Sequence, residues 1–403
     1  MKPEIRFKGF EEEWEKNTIG NIADVVGGGT PSTSVDEYWN GDIQWFTPTE
    51  VGKNKYVKKS VRTISDKGLK KSGAKLLPKG TLLLSSRATI GEVSIAETEC
   101  CTNQGFQSLI AKDVDRDFLY SIILTMKEEM KRIASGSTFL EISANKLRAI
   151  PLYIPSKNEQ QEVGSYFGYI DQQISSASSR LTSLRQLKEA SLQAMFPQKG
   201  EKVPRIRFKG FEGEWKKIQL CDCLTISNEK NLDNSFGIDD VLSVSDEVGV
   251  VNQIELLGRS YAGKSVANYG VLKTNQIVYT KSPLKSKPYG IIKVNKSKTG
   301  IVSVLYAIYD TVEGISPDYI HYYFDPSYRI NNYLLPLVNK GAKNTMNISD
   351  EMALQGYITI PTLEEQSSIA SYFRSLDRQI SLQSQRLEKL KQIKAACLDK
   401  MFV

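Results

Sequence analysis

The chain contains one opening phrase twice, and this duplication limits its fold more than any other feature. PEIRFKGFEEEWEK begins at Pro3 and PRIRFKGFEGEWKK begins at Pro204, with eleven of fourteen positions identical. A longer pair of similar segments begins at Ile154 and at Ile360, and both segments end in Met-Phe. A repeat of this length indicates two structurally equivalent units. The first unit of the tandem duplication ends near residue 200.

Each longer repeated segment has the apolar period of an amphipathic helix. A proline precedes each segment, followed by Ser156 or Thr362 as the expected N-cap, with Glu159 or Glu365 at capping-box spacing. Each helix would extend for nearly forty residues, or about 55–60 Å. A helix of that length needs a partner along its face, and the other copy is the expected one. The predicted interface residues are Phe167, Ile170, Ile174, Leu181 and Leu184 in the first copy and Phe373, Leu376, Ile380, Leu387 and Leu390 in the second.

Polar residues interrupt the apolar stripes of these two helices. Lys188, Gln383 and Lys394 occupy positions on the predicted seam. This pattern favours a narrow, partly hydrated helix pair. The alternative is that each stripe simply packs on the domain before it.

The segments between the repeats, 17–150 and 218–357, differ much more from each other. Both mix short β-rich runs with helical and turn-rich stretches, which is typical of compact α+β domains. We therefore predict an α+β fold in which two globular mixed α/β domains are separated by two long antiparallel helices that form a coiled coil, with an internal pseudo-twofold repeat. The predicted domains are 1–155 and 201–361, and the predicted long-helix segments are 156–200 and 362–403.

The distribution of charge points to a polyanionic ligand. The formal net charge of +7, from 53 basic and 46 acidic residues, is weak evidence by itself. Residues 51–87, however, contain eleven basic residues and one acid, and residues 259–298 contain nine basic residues and no acid. The two stretches occupy overlapping positions in the two units. Duplex DNA is the natural candidate, because phosphate neutralisation supplies most sequence-independent affinity for DNA.

The sequence offers little evidence of catalysis. VVGGGTPST at 25–33 lacks the Lys-Ser/Thr that closes a P-loop. DPSY at 325–328 lacks the second proline of the tetrapeptide with which amino-methyltransferases hold their target amine, so we expect a helix-terminating turn. The single histidine, His321, lies in an apolar helix-like run, and the five cysteines lack zinc-site spacing. We expect a packed histidine, reduced thiols, no metal site and no catalytic residues.

The sequence also gives an expectation about location. The first residues lack the apolar core of a secretory signal, and no apolar run approaches the length of about 20 residues that spans a bilayer. We therefore expect a cytoplasmic protein without membrane contact.

Four phrases carry a resemblance to a known family: GGTPSTSVDEYWNGDIQWFTPTEV, RATIGEV, STFLEISANKLRAIPLYIP and EEQSSIASYFRSLDRQI. Together with two variable segments that alternate with two repeated helices, they resemble the specificity (S) subunit of type I restriction–modification systems. The resemblance covers essentially the whole chain. The second variable segment departs from it, because SSRATIG is replaced by TKSPLKS and GGTPS has no counterpart.

The resemblance implies that each variable domain is a target-recognition domain that reads one half of a bipartite site in double-stranded DNA. The coiled coil would set the spacing between half-sites and dock two modification subunits. Those partners would supply S-adenosylmethionine and methylate one adenine per half-site, and restriction subunits would add ATP- and Mg-dependent translocation and cleavage. This chain would hold no cofactor and catalyse no reaction. A helix of the predicted length fits half-sites separated by one or two turns of about 34–36 Å.

Two function classes also remain open beside the specificity subunit: a stand-alone DNA methyltransferase, and a coiled-coil scaffold that binds no DNA.

Residue predictions follow the division between phosphate and base contacts. The candidate phosphate contacts are Lys53, Lys55, Lys58, Lys264, Lys285 and Lys343; the candidate base contacts are Arg87, Gln104, Gln107, Lys281 and Asn344; Thr30 and Thr138 are weaker candidates.

Overall fold

The structure, a computed structural model, describes residues 1–136, 140–263, 265–340 and 346–402. Packing divides the chain into two compact units, Met1–Ser179 with Ser384–Val403 and Arg180–Gln383. Each unit therefore contains one variable domain, part of one long helix and part of the other. The four predicted segments are each continuous in the chain. The first unit, in contrast, combines the N-terminal part of the chain with its last twenty residues.

The first unit is a mixed α/β domain. Its strands are β1 (Glu15–Thr18), β2 (Ala23–Gly27), β3 (Trp39–Phe46), β4 (Tyr56–Val57), β5 (Arg62–Ile64), β6 (Leu82–Leu84), β7 (Val93–Ala96), β8 (Cys100–Thr102), β9 (Gln107–Ala111) and β10 (Pro151–Ile154). Its helices are α1 (Ile19–Ile22), α2 (Asp66–Lys70), α3 (Arg116–Thr125), α4 (Lys127–Ile133), α5 (Ala144–Arg148) and the first part of the long helix α6 (Lys157–Ala194).

A five-stranded sheet of order β2-β9-β6-β7-β4 forms the centre of the first unit, beside a three-stranded sheet of order β5-β3-β8 and the pair β1-β10. Strand β6 is buried on both faces, because alternate side chains of a strand point to opposite sides. Leu82 and Leu84 face the main core with Phe118, whereas Leu83 faces a smaller core around Phe106. The continuous apolar run of β6 thus reflects two cores rather than one.

The second unit is also mixed. Its strands are β11 (Lys216–Gln219), β12 (Leu224–Ile226), β13 (Leu242–Ser245), β14 (Gly249–Asn252), β15 (Gly270–Leu272), β16 (Ile277–Thr280), β17 (Ile291–Val294), β18 (Gly300–Val302), β19 (Tyr306–Thr311), β20 (Asn339–Lys340), β21 (Met346–Asn347) and β22 (Tyr357–Ile360). Its helices are α7 (Gln253–Leu257), α8 (Pro317–Phe324), α9 (Ser327–Leu334) and the first part of the long helix α10 (Leu363–Met401).

The central sheet of the second unit has the order β12-β19-β16-β17. Strand β16 repeats the arrangement of β6: Ile277 and Tyr279 face the main core, and Val278 faces a smaller one. The two central strands are therefore equivalent, at the offset at which the diverged segments align. The units also share a closing strand pair, since β11 pairs with β22 as β1 pairs with β10.

The repeated opening phrase is anchored to the repeated helix by an arginine. Arg6 Nε and Nη2 lie 2.6 and 2.7 Å from the two carboxylate oxygens of Glu159, and Arg207 binds Glu365 in the same way at 2.7 and 2.7 Å. Both glutamate side chains are buried. The glutamates expected to complete capping boxes are therefore engaged by these arginines, although Thr362 Oγ1 does accept from the Glu365 N–H as predicted.

Aromatic packing shows how each unit combines the two copies of the repeat. Trp14, from the first opening phrase, packs edge-on against Phe402 at the end of the second long helix, with ring centres 6.1 Å apart. Trp215, from the second opening phrase, packs against Phe196 at the end of the first long helix, at 6.2 Å. Each unit thus takes its tryptophan from one copy and the facing phenylalanine from the other.

The two long helices contain 38 and 39 residues, which confirms the predicted length. In the first unit they contact each other through Gln173 and Arg386, and in the second unit through Ser191 and Tyr372, 3.0 Å apart. Their apolar stripes also enter the domain cores, so the alternative interpretation of the stripes is correct in part. Phe167, Ile170, Leu181, Phe373 and Leu376 are buried, and Ile174, Leu184, Ile380, Leu387 and Leu390 are partly buried.

Candidate nucleic-acid interface

The glycine-rich loop of the first unit packs against the turn between β8 and β9. A Cβ atom at Gly28 would lie 2.0 Å from the carbonyl oxygen of Asn103, so this close approach requires glycine. Next to it, the Thr30 hydroxyl donates a hydrogen bond to Gln104 Oε1. Both residues are exposed. The loop is therefore a packing element that presents Thr30 and Gln104 together at the surface.

Arg87 directly follows a residue that is hydrogen-bonded to the same turn. The preceding residue, Ser86, donates its N–H to the carbonyl oxygen of Gly105 at 2.8 Å. Arg87 Nε lies 3.1 Å from Glu141 Oε2, and the side chains of Arg87 and Glu141 are 42% and 33% exposed. Gln107 is only partly buried, at the start of β9. The structure thus brings Thr30, Gln104 and Arg87, predicted from three separate stretches, to one turn.

The basic stretch at 51–87 divides into exposed and buried lysines. Lys53 and Lys58 are exposed, as a phosphate contact requires. Lys55 does not suit the predicted phosphate contact: its side chain is 7% exposed, and its ammonium lies 2.8 Å from Asp117 and 3.6 Å from Asp171. A phosphate could reach Lys55 only by breaking these ion pairs. Sequence alone cannot show which lysine of such a run has a buried side chain.

In the second unit, Lys281 follows β16 and lies 2.5 Å from Asp350. This pair resembles Arg87 with Glu141 in the first unit. Lys285 is exposed on the turn between β16 and β17. Four predicted residues lie outside the part of the chain that the structure describes: Thr138, Lys264, Lys343 and Asn344.

Glu141 and Asp350 are the residues that sequence reasoning missed. Each lies far along the chain from its cation, with separations of 54 and 69 residues. No local spacing could have indicated these pairs, because they depend on which strands become neighbours. Glu141 does lie within one of the phrases that carried the family resemblance.

The DPSY tetrapeptide forms the predicted turn. Asp325 directly follows α8, and Pro326 precedes α9. Burial alone would raise the pKa of Asp325, but Lys293, His321 and Lys188 hold it well below the usual range. The carboxylate is already engaged, since Lys293 lies 2.8 Å away and Lys188 lies 3.0 Å away. Asp325 therefore serves as an ion-pair partner in the core of the second unit.

Other sites of possible chemistry agree with this picture. Burial, together with the nearby Lys293, lowers the pKa of His321 to about 3, so its ring is neutral at physiological pH. The five cysteines are free thiols, as predicted, with Cys100, Cys101 and Cys223 buried. Among the described residues, no group of three or more His, Cys, Asp or Glu side chains could hold a metal ion. None of the described helices combines the length and apolar character needed to cross a bilayer.

Comparison with known proteins gives a family match in the first half of the chain and relatives that align over about two-fifths of it. Residues 11–186 match the family model of the type I restriction modification DNA specificity domain. The chain is 41% identical over 165 residues to the type I restriction enzyme MjaIX specificity subunit of Methanocaldococcus jannaschii, covering 40% of this chain and 38% of that one. It is 28% identical over 167 residues to the EcoR124I/EcoR124II specificity subunit of Escherichia coli, covering 40% and 41%. Each match thus spans about two-fifths of the relative's own length.

Solved structures share the fold along the whole chain. The crystal structure of the type I restriction–modification S subunit from M. genitalium matches with a TM-score of 0.63 at 15% identity, covering 100% of this chain and 99% of that one. A structure concerned with complex assembly and conformational transition of the type I system matches with a TM-score of 0.51 at 13% identity, covering 98% and 99%. These likenesses establish a mixed α/β fold with long helices. Residues 11–186, somewhat less than half of the chain, are thus similar to the type I restriction modification DNA specificity domain.

Proposed function

We propose that this chain is the DNA-recognition subunit of a type I restriction–modification complex, with each unit reading one half of a bipartite duplex site. The observation that carries the proposal lies in the first unit. The family match includes the turn at which Thr30, Gln104 and Arg87 meet. Amide and guanidinium groups can make the paired hydrogen bonds that distinguish bases in the major groove. Exposed Lys53 and Lys58 supply the phosphate contacts that hold the protein on the duplex.

The long helices set the spacing of the half-sites and bind the partners. We assign them an antiparallel coiled coil with a pseudo-twofold relation between the copies, supported by the equivalent contacts that they make in each unit. Both helices also carry exposed apolar side chains. A single exposed apolar residue is common on protein surfaces, but here such residues occur on both long helices. These side chains suit docking of two modification subunits. They are Tyr169 and Leu187 on α6 and Leu382 and Ile393 on α10.

Catalysis belongs to the partners in this proposal. The modification subunits bind S-adenosylmethionine and methylate one adenine in each half-site, and restriction subunits add ATP- and Mg-dependent translocation and cleavage. The complex acts in the cytoplasm, where its DNA substrate lies. Two features of this chain support a non-catalytic role: the carboxylate of DPSY is engaged by lysines, and burial lowers the pKa of His321 to about 3, which makes its ring a weak base.

Adenine methylation across a genome tests the proposal directly. Methylation is mapped in a strain that contains this gene, in the same strain with the gene deleted, and in the deletion strain carrying the gene again. We expect one split motif with a fixed gap to disappear and return. An unchanged methylome in a strain that also expresses the modification subunit would contradict the proposal. Binding of S-adenosylmethionine by the purified chain alone would instead favour a stand-alone methyltransferase.

A further inference from the structure

Arg87 is held from two sides, by a carboxylate and by its own backbone turn. Its Nε and Nη2 donate to one carboxylate oxygen of Glu141, and the two residues also form an antiparallel backbone bridge. The Arg87 carbonyl oxygen accepts from Thr89 N–H at 2.8 Å and from the Ser85 hydroxyl at 3.0 Å. The side chain nevertheless remains 42% exposed. Arg87 is therefore fixed in position while its guanidinium can still meet a ligand.

The turn after Arg87 adopts an uncommon backbone conformation. Ala88 has φ 64°, in the left-handed region that residues other than glycine rarely adopt. The hydrogen bond from Thr89 N–H to the Arg87 carbonyl closes a three-residue turn around Ala88, a strained type. Such strain persists only where the surroundings enforce it, and it is concentrated at functional sites. Ala88 and Thr89 also line an open cavity of about 510 Å³, so the turn lies on a concave surface.

The second unit also pairs a cation with a carboxylate beyond its central strand, although Lys281 aligns with Ser86 and not with Arg87. Lys281 follows β16, the equivalent of β6, and its ammonium lies 2.5 Å from Asp350. Glu141 and Asp350 both lie in the segment before the closing strand of their unit. The two variable domains share little sequence, yet each places a cation at the end of its central strand against a carboxylate from this segment.

We propose that Glu141, and Asp350 in the second unit, are specificity-determining residues that position a base-reading cation. This inference rests on the proposed function and adds a ligand class to it: Arg87 reads a base edge with two hydrogen-bond acceptors, as guanine offers at O6 and N7. A guanidinium has five N–H donors in a planar fork. Glu141 accepts from Nε and Nη2 on one edge of the guanidinium. The N–H groups on the Nη1–Nη2 edge remain available to donate to the two acceptors of a base.

The carboxylate also acts against wrong sequences. A free arginine binds any phosphate, whereas the Arg87–Glu141 pair has no net charge and attracts the DNA backbone less. At a base without two acceptors, the held guanidinium gains little, and the Glu141 carboxylate repels nearby phosphates. Specificity is a difference of affinities, and a repulsive group that penalises non-target sequences increases that difference.

Selection from random duplexes tests the inference and identifies the target sequence in the same experiment. The full-length chain is incubated with a pool of random double-stranded DNA, bound duplexes are sequenced, and affinities are measured for the enriched duplex and a scrambled one. The variants are Glu141→Gln, Arg87→Ala and Asp350→Asn. The matched control is Glu129→Gln, which removes the same charge from an Arg–Glu pair on the surface of α4.

We expect wild type to enrich a split motif with a guanine preference at the Arg87 position. Arg87→Ala should abolish that preference and weaken target binding about 5- to 150-fold, the range for one bidentate base contact. Glu141→Gln should relax the same position and strengthen binding to scrambled DNA several-fold, which a purely structural role would not do. Asp350→Asn should relax a position in the other half-site. Glu129→Gln should leave the motif unchanged.

Two contrary results can be told apart. If wild type enriches a split motif and Glu141→Gln preserves it, with affinities that change no more than those of Glu129→Gln, Glu141 is only a surface ion-pair partner and the inference is wrong. If folded wild type enriches no sequence, the proposed function fails, and the inference fails with it. Urea unfolding of each variant establishes that it is folded before selection.

Discussion

Lys394 Nζ lies 2.6 Å from the carboxylate of Asp171, and the equivalent residues, Lys188 and Asp377, form the same pair at 2.8 Å. In each unit the lysine comes from one copy of the repeated helix and the aspartate from the other. The lysines that interrupt the predicted apolar seam are therefore partners of repeated aspartates. In coiled coils, polar residues within an apolar seam are best known for fixing register.

Each variable domain adds a different charge to this repeated pair. In the first unit Lys55 approaches Asp171 at 3.6 Å, whereas in the second unit Asp325 approaches Lys188 at 3.0 Å. The first cluster thus places two cations around one carboxylate of the helix. The second places two carboxylates around the lysine of the helix, and one of them, Asp325, also binds Lys293.

This difference predicts unequal effects of removing the two equivalent lysines. Lys188→Met should lower the free energy of unfolding by about 3 kcal/mol, because Asp377 loses its lysine and Asp325 keeps only Lys293. Lys394→Met should cost less, since Asp171 keeps Lys55 nearby. Urea unfolding and hydrogen exchange of the α8 peptide would measure the effect of Lys188→Met. Equal losses for both variants would show that the domain contacts do not matter.

The arginine of the opening phrase should contribute strongly to stability. Arg207→Met leaves the buried carboxylate of Glu365 without its bidentate partner, and we expect a loss of about 3–5 kcal/mol. The double variant Arg207→Met/Glu365→Leu should recover much of that loss. Arg205→Met is the control, because Arg205 forms an exposed pair with Glu201. The loss of stability in Arg205→Met should stay below about 1 kcal/mol. If Arg207→Met and Arg205→Met lose similar free energies in urea unfolding, the buried Arg207–Glu365 pair does not contribute as assigned.

The lowered pKa of Asp325 predicts a pH dependence of stability. Because the pKa is lower in the folded state than the unfolded value of about 3.9, the ionised carboxylate stabilises the fold at neutral pH. That contribution is complete above about pH 5 and falls as the pH drops through and below the unfolded pKa. Asp325→Asn should be less stable than wild type at pH 7, and the gap should narrow towards pH 3. A gap that stays constant across this range in urea unfolding would contradict the ion-pair role.

The exposed and buried lysines of the first basic stretch should behave differently towards DNA. Lys53→Ala and Lys58→Ala should weaken binding to target and scrambled duplexes alike and reduce the log–log salt slope by about 1 each. Lys55→Ala should instead destabilise the first unit, because Asp117 and Asp171 lose a buried cation. Binding titrations over a range of salt concentrations, with urea unfolding in parallel, separate these effects. A reduced salt slope for Lys55→Ala without loss of stability would restore its predicted phosphate contact.

Sequence alone determined the elements whose signals are local or repeated. Heptad spacing gave the two long helices, and turn chemistry gave the break after Asp325. The duplicated phrases indicated two equivalent units, because nearly identical segments of one chain fold alike. The family resemblance, which rested on four motifs, also came from sequence. Thr30, Gln104 and Arg87 were likewise predicted from sequence as DNA contacts, although nothing local showed that they share one turn.

Tertiary structure decided every feature that depends on which distant segments become neighbours. Glu159 has the spacing of a capping box. Its buried carboxylate nevertheless binds Arg6 of the opening phrase through two hydrogen bonds. In sequence, Lys55 cannot be distinguished from its exposed neighbours Lys53 and Lys58. In the folded unit its side chain is buried beside Asp117 and Asp171. The pairing of Arg87 with Glu141 has no sequence signature, because it arises from strand adjacency across 54 residues. Local propensity fixes helices and turns, whereas burial and strand order decide which charges face solvent and which face each other.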